Sequence, residues 1–112
     1  GTGVIRITRS IKVPISGHYS RAGSYLFGNG RDATRIKLDY THNEAEGEEP
    51  IPVLVAVNGE NELAGDGYNF IFLDATVTST NENSCSASIH IPIGVSGLVF
   101  DNLILFLFGF PF

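Results

Sequence analysis

From residue 5 to residue 15 the odd positions Ile5, Ile7, Ile11, Val13 and Ile15 are apolar, while Arg6, Thr8, Ser10 and Lys12 are polar. A period of two predicts a strand with one dry face. Arg9 falls on that dry face. A guanidinium there needs an acidic partner, an interface or an edge position. Residues 24–27 predict a short strand, and Gly28-Asn29-Gly30 predicts a hairpin turn after it. Ile36, Leu38 and Tyr40 then alternate with Arg35, Lys37 and Asp39 as a half-buried strand.

Further along, residues 51–57 are apolar on both faces and read as a central strand. Residues 68–80 form a long strand with Ile71, Leu73, Ala75 and Val77 on one side and Tyr68, Phe70 and Phe72 on the other. Cys85, Ala87, Ile89, Ile91 and Ile93 alternate with Ser84, Ser86, Ser88, His90 and Pro92, the clearest strand with one wet side. Residues 94–97 read as a turn. This spacing predicts a single all-β domain over residues 1–112: an antiparallel, jelly-roll-like β-sandwich of seven to eight strands. The immunoglobulin alternative lacks its cysteine pair and its tryptophan, since the chain has one Cys and no Trp. No internal repeat is visible.

The last strand is apolar on both faces. Ile104, Phe106, Phe108, Phe110 and Phe112 share one side, and Leu103, Leu105 and Leu107 the other. One face serves the chain's own core and the second needs another place to be buried, because exposed patches of this size are rare on monomers. The expectation is a homo-oligomer interface at Ile104, Phe106, Phe108, Phe110 and Phe112, with Arg9 as a further contact. Residues 103–112, with Phe108-Gly109-Phe110 near the C-terminus, resemble the final strand of trimeric jelly rolls of the tumour-necrosis-factor and C1q type, and that resemblance implies a trimer. A membrane barrel would also alternate aromatics here, but Pro111 interrupts the ladder and the other strands lack a lipid-facing band. The longest apolar run is too short for a spanning helix, so no transmembrane segment is expected.

Charge sharpens the picture. All seven Lys and Arg lie at or before Lys37 with only Asp32 among them, so residues 1–38 carry a net +6 and the remainder −11. The basic residues are spread through apolar alternation and the chain is acidic as a whole, which argues against nucleic acid. Attraction between the two parts acts either within one chain or between copies. Cys85 has no partner for an intrachain disulfide and occupies an inward position, as a small buried hydrophobe does.

Catalytic motifs are missing: there is no Gly-x-Ser-x-Gly elbow, and His18, His42 and His90 lack metal-ligand spacing. No enzyme and no cofactor is expected. Calcium, the best-suited metal, would use Glu44, Glu46 and Glu48 in one acidic loop, or Glu60 and Asp66 in another. Tyr19, Tyr25, Tyr40 and Tyr68, each near an Asn, are candidate contacts for a surface glycan. The leading expectation is a non-enzymatic structural or adhesive subunit of a homo-oligomeric, trimeric assembly outside the cell or on a virion, such as a fibre head, coat or filament. The alternative is a small carbohydrate-binding lectin module assisted by calcium.

Overall fold

The computed structural model describes residues 3–15, 24–57, 66–91 and 94–106, with the side chains of 66–69 and 94–96 outside that description. Eight strands follow one another: β1 Gly3–Ile7, β2 Ile11–Pro14, β3 Ser24–Phe27, β4 Thr34–Leu38, β5 Leu54–Val57, β6 Asp66–Ser79, β7 Ile89–His90 and β8 Gly94–Leu105. All pairings among these described strands are parallel. β6 carries β3 and then β4 along one edge and β8 along the other, and β1 extends the sheet beyond β4. A second sheet has the order β2-β5-β7.

A parallel neighbour requires the chain to travel round and re-enter from the same end. Gly3 stands beside Thr34, Arg35 beside Thr76, and Thr76 beside Ile104, so the chain comes back to one sheet position again and again. Leu54 likewise stands beside Ile11 on one side and Ile89 on the other. The architecture is a coil of parallel strands, a β-solenoid, in which each turn contacts its neighbours. The larger sheet bends within β6 and β8. Asp74 and Asn102 take left-handed backbone angles, with φ of 62° and 52°. Their short polar side chains tolerate that region. The two corners are stacked, because Leu73 pairs with Asp101 and Ala75 with Leu103, and Asn102 Nδ2 donates to Asp74 Oδ1 at 2.7 Å.

Side chains inside the coil come from both sheets. Val13 of β2, Ile36 and Leu38 of β4, Leu54 and Ala56 of β5, and Phe70, Phe72, Ala75 and Val77 of β6 form one buried cluster with Ile15, Tyr40, Val53 and Cys85. Burial pushes the Cys85 thiol pKa up, consistent with a packed and unreactive sulfur.

The antiparallel jelly-roll-like sandwich is therefore corrected to parallel coils. Alternation reports which residues face inward, and it is the same for parallel and antiparallel partners. Gly28-Asn29-Gly30 is a coil corner between β3 and β4, which do not pair with each other. The turn expected at 94–97 is the start of β8. The strand expected from Cys85 onward shrinks to Ile89–His90: Glu82–Ser84 is a 3₁₀ turn, and Cys85 forms an isolated parallel bridge with Ile51.

Candidate functional site

On the outer side of the bent sheet, β6 offers Thr76 and Thr78 between longer neighbours. Arg35 and Lys37 of β4 stand on one side, in register with Thr76 and Thr78. Ile104 of β8 is in register with Thr76 on the other side, and the Phe106 backbone N–H reaches Val77 O at 3.4 Å. Small side chains on the middle strand with long ones on both neighbours make a trough that follows β6. Adjacent strands are ~4.8 Å apart, so its walls are separated by about 10 Å. Its volume is about 520 Å³, and Asp32, Ser79 and Thr80 complete the lining. One wall is cationic, the other apolar, and the floor carries hydroxyls.

The charge on this face follows from the parallel register. Arg6 lies opposite Lys37, so two cations of neighbouring coils are brought together, while Arg35 faces the uncharged Val4. Like charges facing one another across strands are unfavourable. Asp39 relieves the crowding by pairing with Arg6, and Thr80 Oγ1 donates to Asp39 Oδ1 at 3.2 Å. The Arg6 hydrogen bond, then the Thr80 bond, hold the Asp39 carboxyl below the usual carboxylate range. Neither Arg35 nor Lys37 is ion-paired with another described residue, the pairs among those residues being Arg6–Asp39 and His42–Glu44.

A lowered folded pKa contributes stability above the unfolded value, and that contribution is lost as pH falls through the folded one. Asp39→Asn is therefore expected to melt at a lower temperature than the parent near neutral pH and to converge with it in strong acid. Because the pair is solvent-exposed, the neutral-pH difference should shrink in high salt. Thermal melts across pH at two salt concentrations check this; a difference that persists below the carboxylate range would show that the Asp39 charge is not its source.

The residues singled out in the sequence scatter over the coil. Ile104 and Phe106 are exposed and form the apolar wall of the trough, while Phe108, Phe110 and Phe112 lie outside the described residues. Arg9 is not on the inner face. It is exposed in the bend after β1, donates to Thr8 O at 2.8 Å, and lies 5.1 Å from the centroid of the Tyr40 ring. Two residues of bend between β1 and β2 break the alternation that placed it inward.

Tyr40 is buried, and its hydroxyl donates to Glu49 O at 3.0 Å, which puts it in the core rather than within reach of a glycan. Tyr25 is exposed, its ring nearly parallel to that of Phe27 with centroids 6.2 Å apart. Tyr19 and the Tyr68 side chain lie outside the description. Glu44 and Glu46 sit in an exposed 3₁₀ turn capped by Asn43 and Gly47, and Glu48 Oε1 accepts from Asn43 N at 2.8 Å. Glu60 and the Asp66 side chain are outside the description. Among the described residues no three His, Cys, Asp or Glu side chains converge as a metal site.

Sequence spacing did not reveal two other features. The trough is one, since its walls come from segments far apart in sequence. The other is Ser84–His42–Glu44: His42 Nδ1 is 2.7 Å from Ser84 Oγ and Nε2 is 3.3 Å from Glu44 Oε1. This has the order of a nucleophile, base and orienting acid. Ser84 is wholly buried, however, and its Oγ also accepts from His42 N at 3.0 Å. A hydroxyl so enclosed serves as an anchor that ties the 39–53 connection to the following coil. No family model, curated protein or solved structure matches this chain.

Proposed function

We propose that the chain is a non-enzymatic structural or adhesive subunit, displayed outside the cell or on a virion, that associates with copies of itself along β8. The observation that carries this reading is a comparison of adjacent coils. Leu98 and Phe100 of β8 are in register with Phe70 and Phe72 of β6. Phe70 and Phe72 are 0 % and 1 % exposed, whereas Leu98 and Phe100 are 44 % and 40 % exposed. The same inward columns are dry in one coil and open in the next. Fully burying such a side chain is worth roughly 1.5–3 kcal/mol, so covering what remains of each offers on the order of 1 kcal/mol.

Among the described strands β8 pairs only with β6, and it contains neither Lys nor Pro, two devices that commonly protect sheet edges. A second copy suits this edge because the coil carries a complement. β1, at the other end of the same sheet, leaves Val4 58 % and Ile5 43 % exposed. The β1–β2 segment is basic, with Arg6, Arg9 and Lys12, while the charged residue of β8 is Asp101. Contact between unlike ends closes into a ring, a trimer for instance, or continues as a filament.

Sedimentation velocity across a concentration series is the test. The parent chain should associate, and Leu98→Ser with Val99→Lys should reduce the mass to a monomer while the melting temperature of the dilute protein stays near the parent's. A discrete mass of three chains identifies the closed form, and an open series the filament. A parent that stays monomeric at high concentration, or a variant that keeps the assembled mass, overturns the proposal. The second reading, a saccharide-binding module, is favoured by the exposed, nearly parallel rings of Tyr25 and Phe27.

A further inference from the structure

We infer that the trough over β6 binds an acidic oligosaccharide, a chain of sugar rings bearing carboxylates. The inference is independent of self-association and uses a different face from the Tyr25–Phe27 pair. Arg35 and Lys37 line one side without an ion-pair partner among the described residues, so a ligand anion need not displace an internal carboxylate. The Arg35 fork matches a planar carboxylate, and Lys37 supplies a point charge one repeat along the strand. Opposite them, exposed Ile104 and Phe106 offer an apolar wall. A uronate ring has the matching asymmetry, with an anionic edge and a C–H face.

The floor narrows the ligand class. Thr76 is buried and its Oγ1 donates to Arg31 O at 2.7 Å, while the exposed Thr80 Oγ1 has Asp39 Oδ1 and Leu38 O as alternative acceptors for its single proton, so the Thr80 oxygen retains acceptor capacity towards a sugar hydroxyl. Thr78 adds a third hydroxyl. An extended peptide is poorly served here. The trough runs over the face of β6, whose two backbone edges are already paired with β4 and β8, so a peptide backbone finds no strand edge to join. A polyphosphate, charged on every side, would set anionic oxygens against the apolar wall of Ile104 and Phe106 as well as Asp32, whereas a uronate turns its C–H face to that wall.

The test is calorimetric titration of the full chain with tetragalacturonate, with its carboxyl-reduced neutral counterpart, with inorganic sulfate and with a tetraglutamate peptide. The expected result is binding of tetragalacturonate that weakens with salt, at least about tenfold weaker binding of the neutral counterpart, and no saturation with sulfate or peptide in the same range. Arg35→Gln with Lys37→Gln should lower affinity for tetragalacturonate at least about tenfold with an unchanged melting temperature. Thr78→Val should lower it without altering the salt dependence, which separates the floor from the charges. Absence of tetragalacturonate binding overturns the inference, as do equal binding of the neutral sugar, sulfate or peptide binding of similar strength, and retained affinity in the double variant.

Discussion

Gly28→Ala is expected to destabilise the chain by about 3 kcal/mol or more, the upper range for forcing extra volume into a packed site. A Cβ at Gly28 would overlap the carbonyl oxygen of Asp74 and lie 2.9 Å from both the Asp74 carbonyl carbon and the Thr34 Cβ. The first two atoms are backbone, and that backbone is fixed. Asp74 holds a φ of 62°, its carbonyl accepts from Gly30 N at 3.0 Å, and its side chain is tied to Asn102. Gly28 N itself donates to Leu73 O at 2.9 Å. Making room for one methyl group therefore displaces the corner shared by three successive coils. Domains of this size are stable by only 5–15 kcal/mol in general, so the variant should unfold at much lower denaturant. Gly47→Ala is the control: Gly47 has a φ of 78° but no atom within 4 Å of an added Cβ. It should lose only about 1 kcal/mol, the cost of placing Ala in that backbone region. Equal midpoints for the two variants in urea unfolding would show that the Gly28 corner has room to spare.

That corner also shows how far the sequence was legible. Gly28-Asn29-Gly30 marked a change of direction, and the chain does change direction there. What local composition could not show is whether the next strand returns antiparallel or departs onto a new part of the coil. Strand positions fared better. Residues 24–27 are β3 as expected, and the inward residues Val13, Ile36, Leu38, Ala75 and Val77 are buried. Phe70 and Phe72, which strict alternation puts on the other side of the strand from Val77, join the same core because the left-handed corner at Asp74 exchanges the two faces. Within an uninterrupted strand, inward and outward faces follow from period two whatever the partner strand is. The repeat stayed hidden because the coils differ in length. Ser24 is in register with Phe70, and Phe70 with Leu98, so the first interval is much longer than the second. The 39–53 connection, with its 3₁₀ turn and the Ser84–His42 anchor, is part of that excess. The trough was invisible for the same reason: Arg35, Thr76 and Ile104 become neighbours only once the register between coils is known.

Phe72→Ala is expected to cost about 3–5 kcal/mol, the usual range for truncating a buried phenylalanine. Phe72 is 1 % exposed and lies 6.5 Å, centroid to centroid, from the nearly parallel Phe70 ring. It also borders an apolar cavity of about 170 Å³ with Ile5, Ile11, Leu26, Ile36 and Ala75. Truncation enlarges a void that the surrounding strands have not closed, and their backbone ladders limit collapse into it. Loss therefore belongs at the upper end of the range, where the cavity contribution adds to the transfer contribution. Phe100→Ala provides the internal comparison, since Phe100 occupies the same column one coil later but is 40 % exposed. In dilute solution it should cost about 1–2 kcal/mol, because less surface leaves water and fewer neighbours are lost. Self-association along β8 changes this in a definite direction. A second copy covering Phe100 brings its environment closer to that of Phe72, so the gap between the two variants narrows as protein concentration rises. Urea midpoints measured at low and high protein concentration decide the matter. A gap that stays constant while the parent assembles would place the interface away from Phe100 and the inward face of β8.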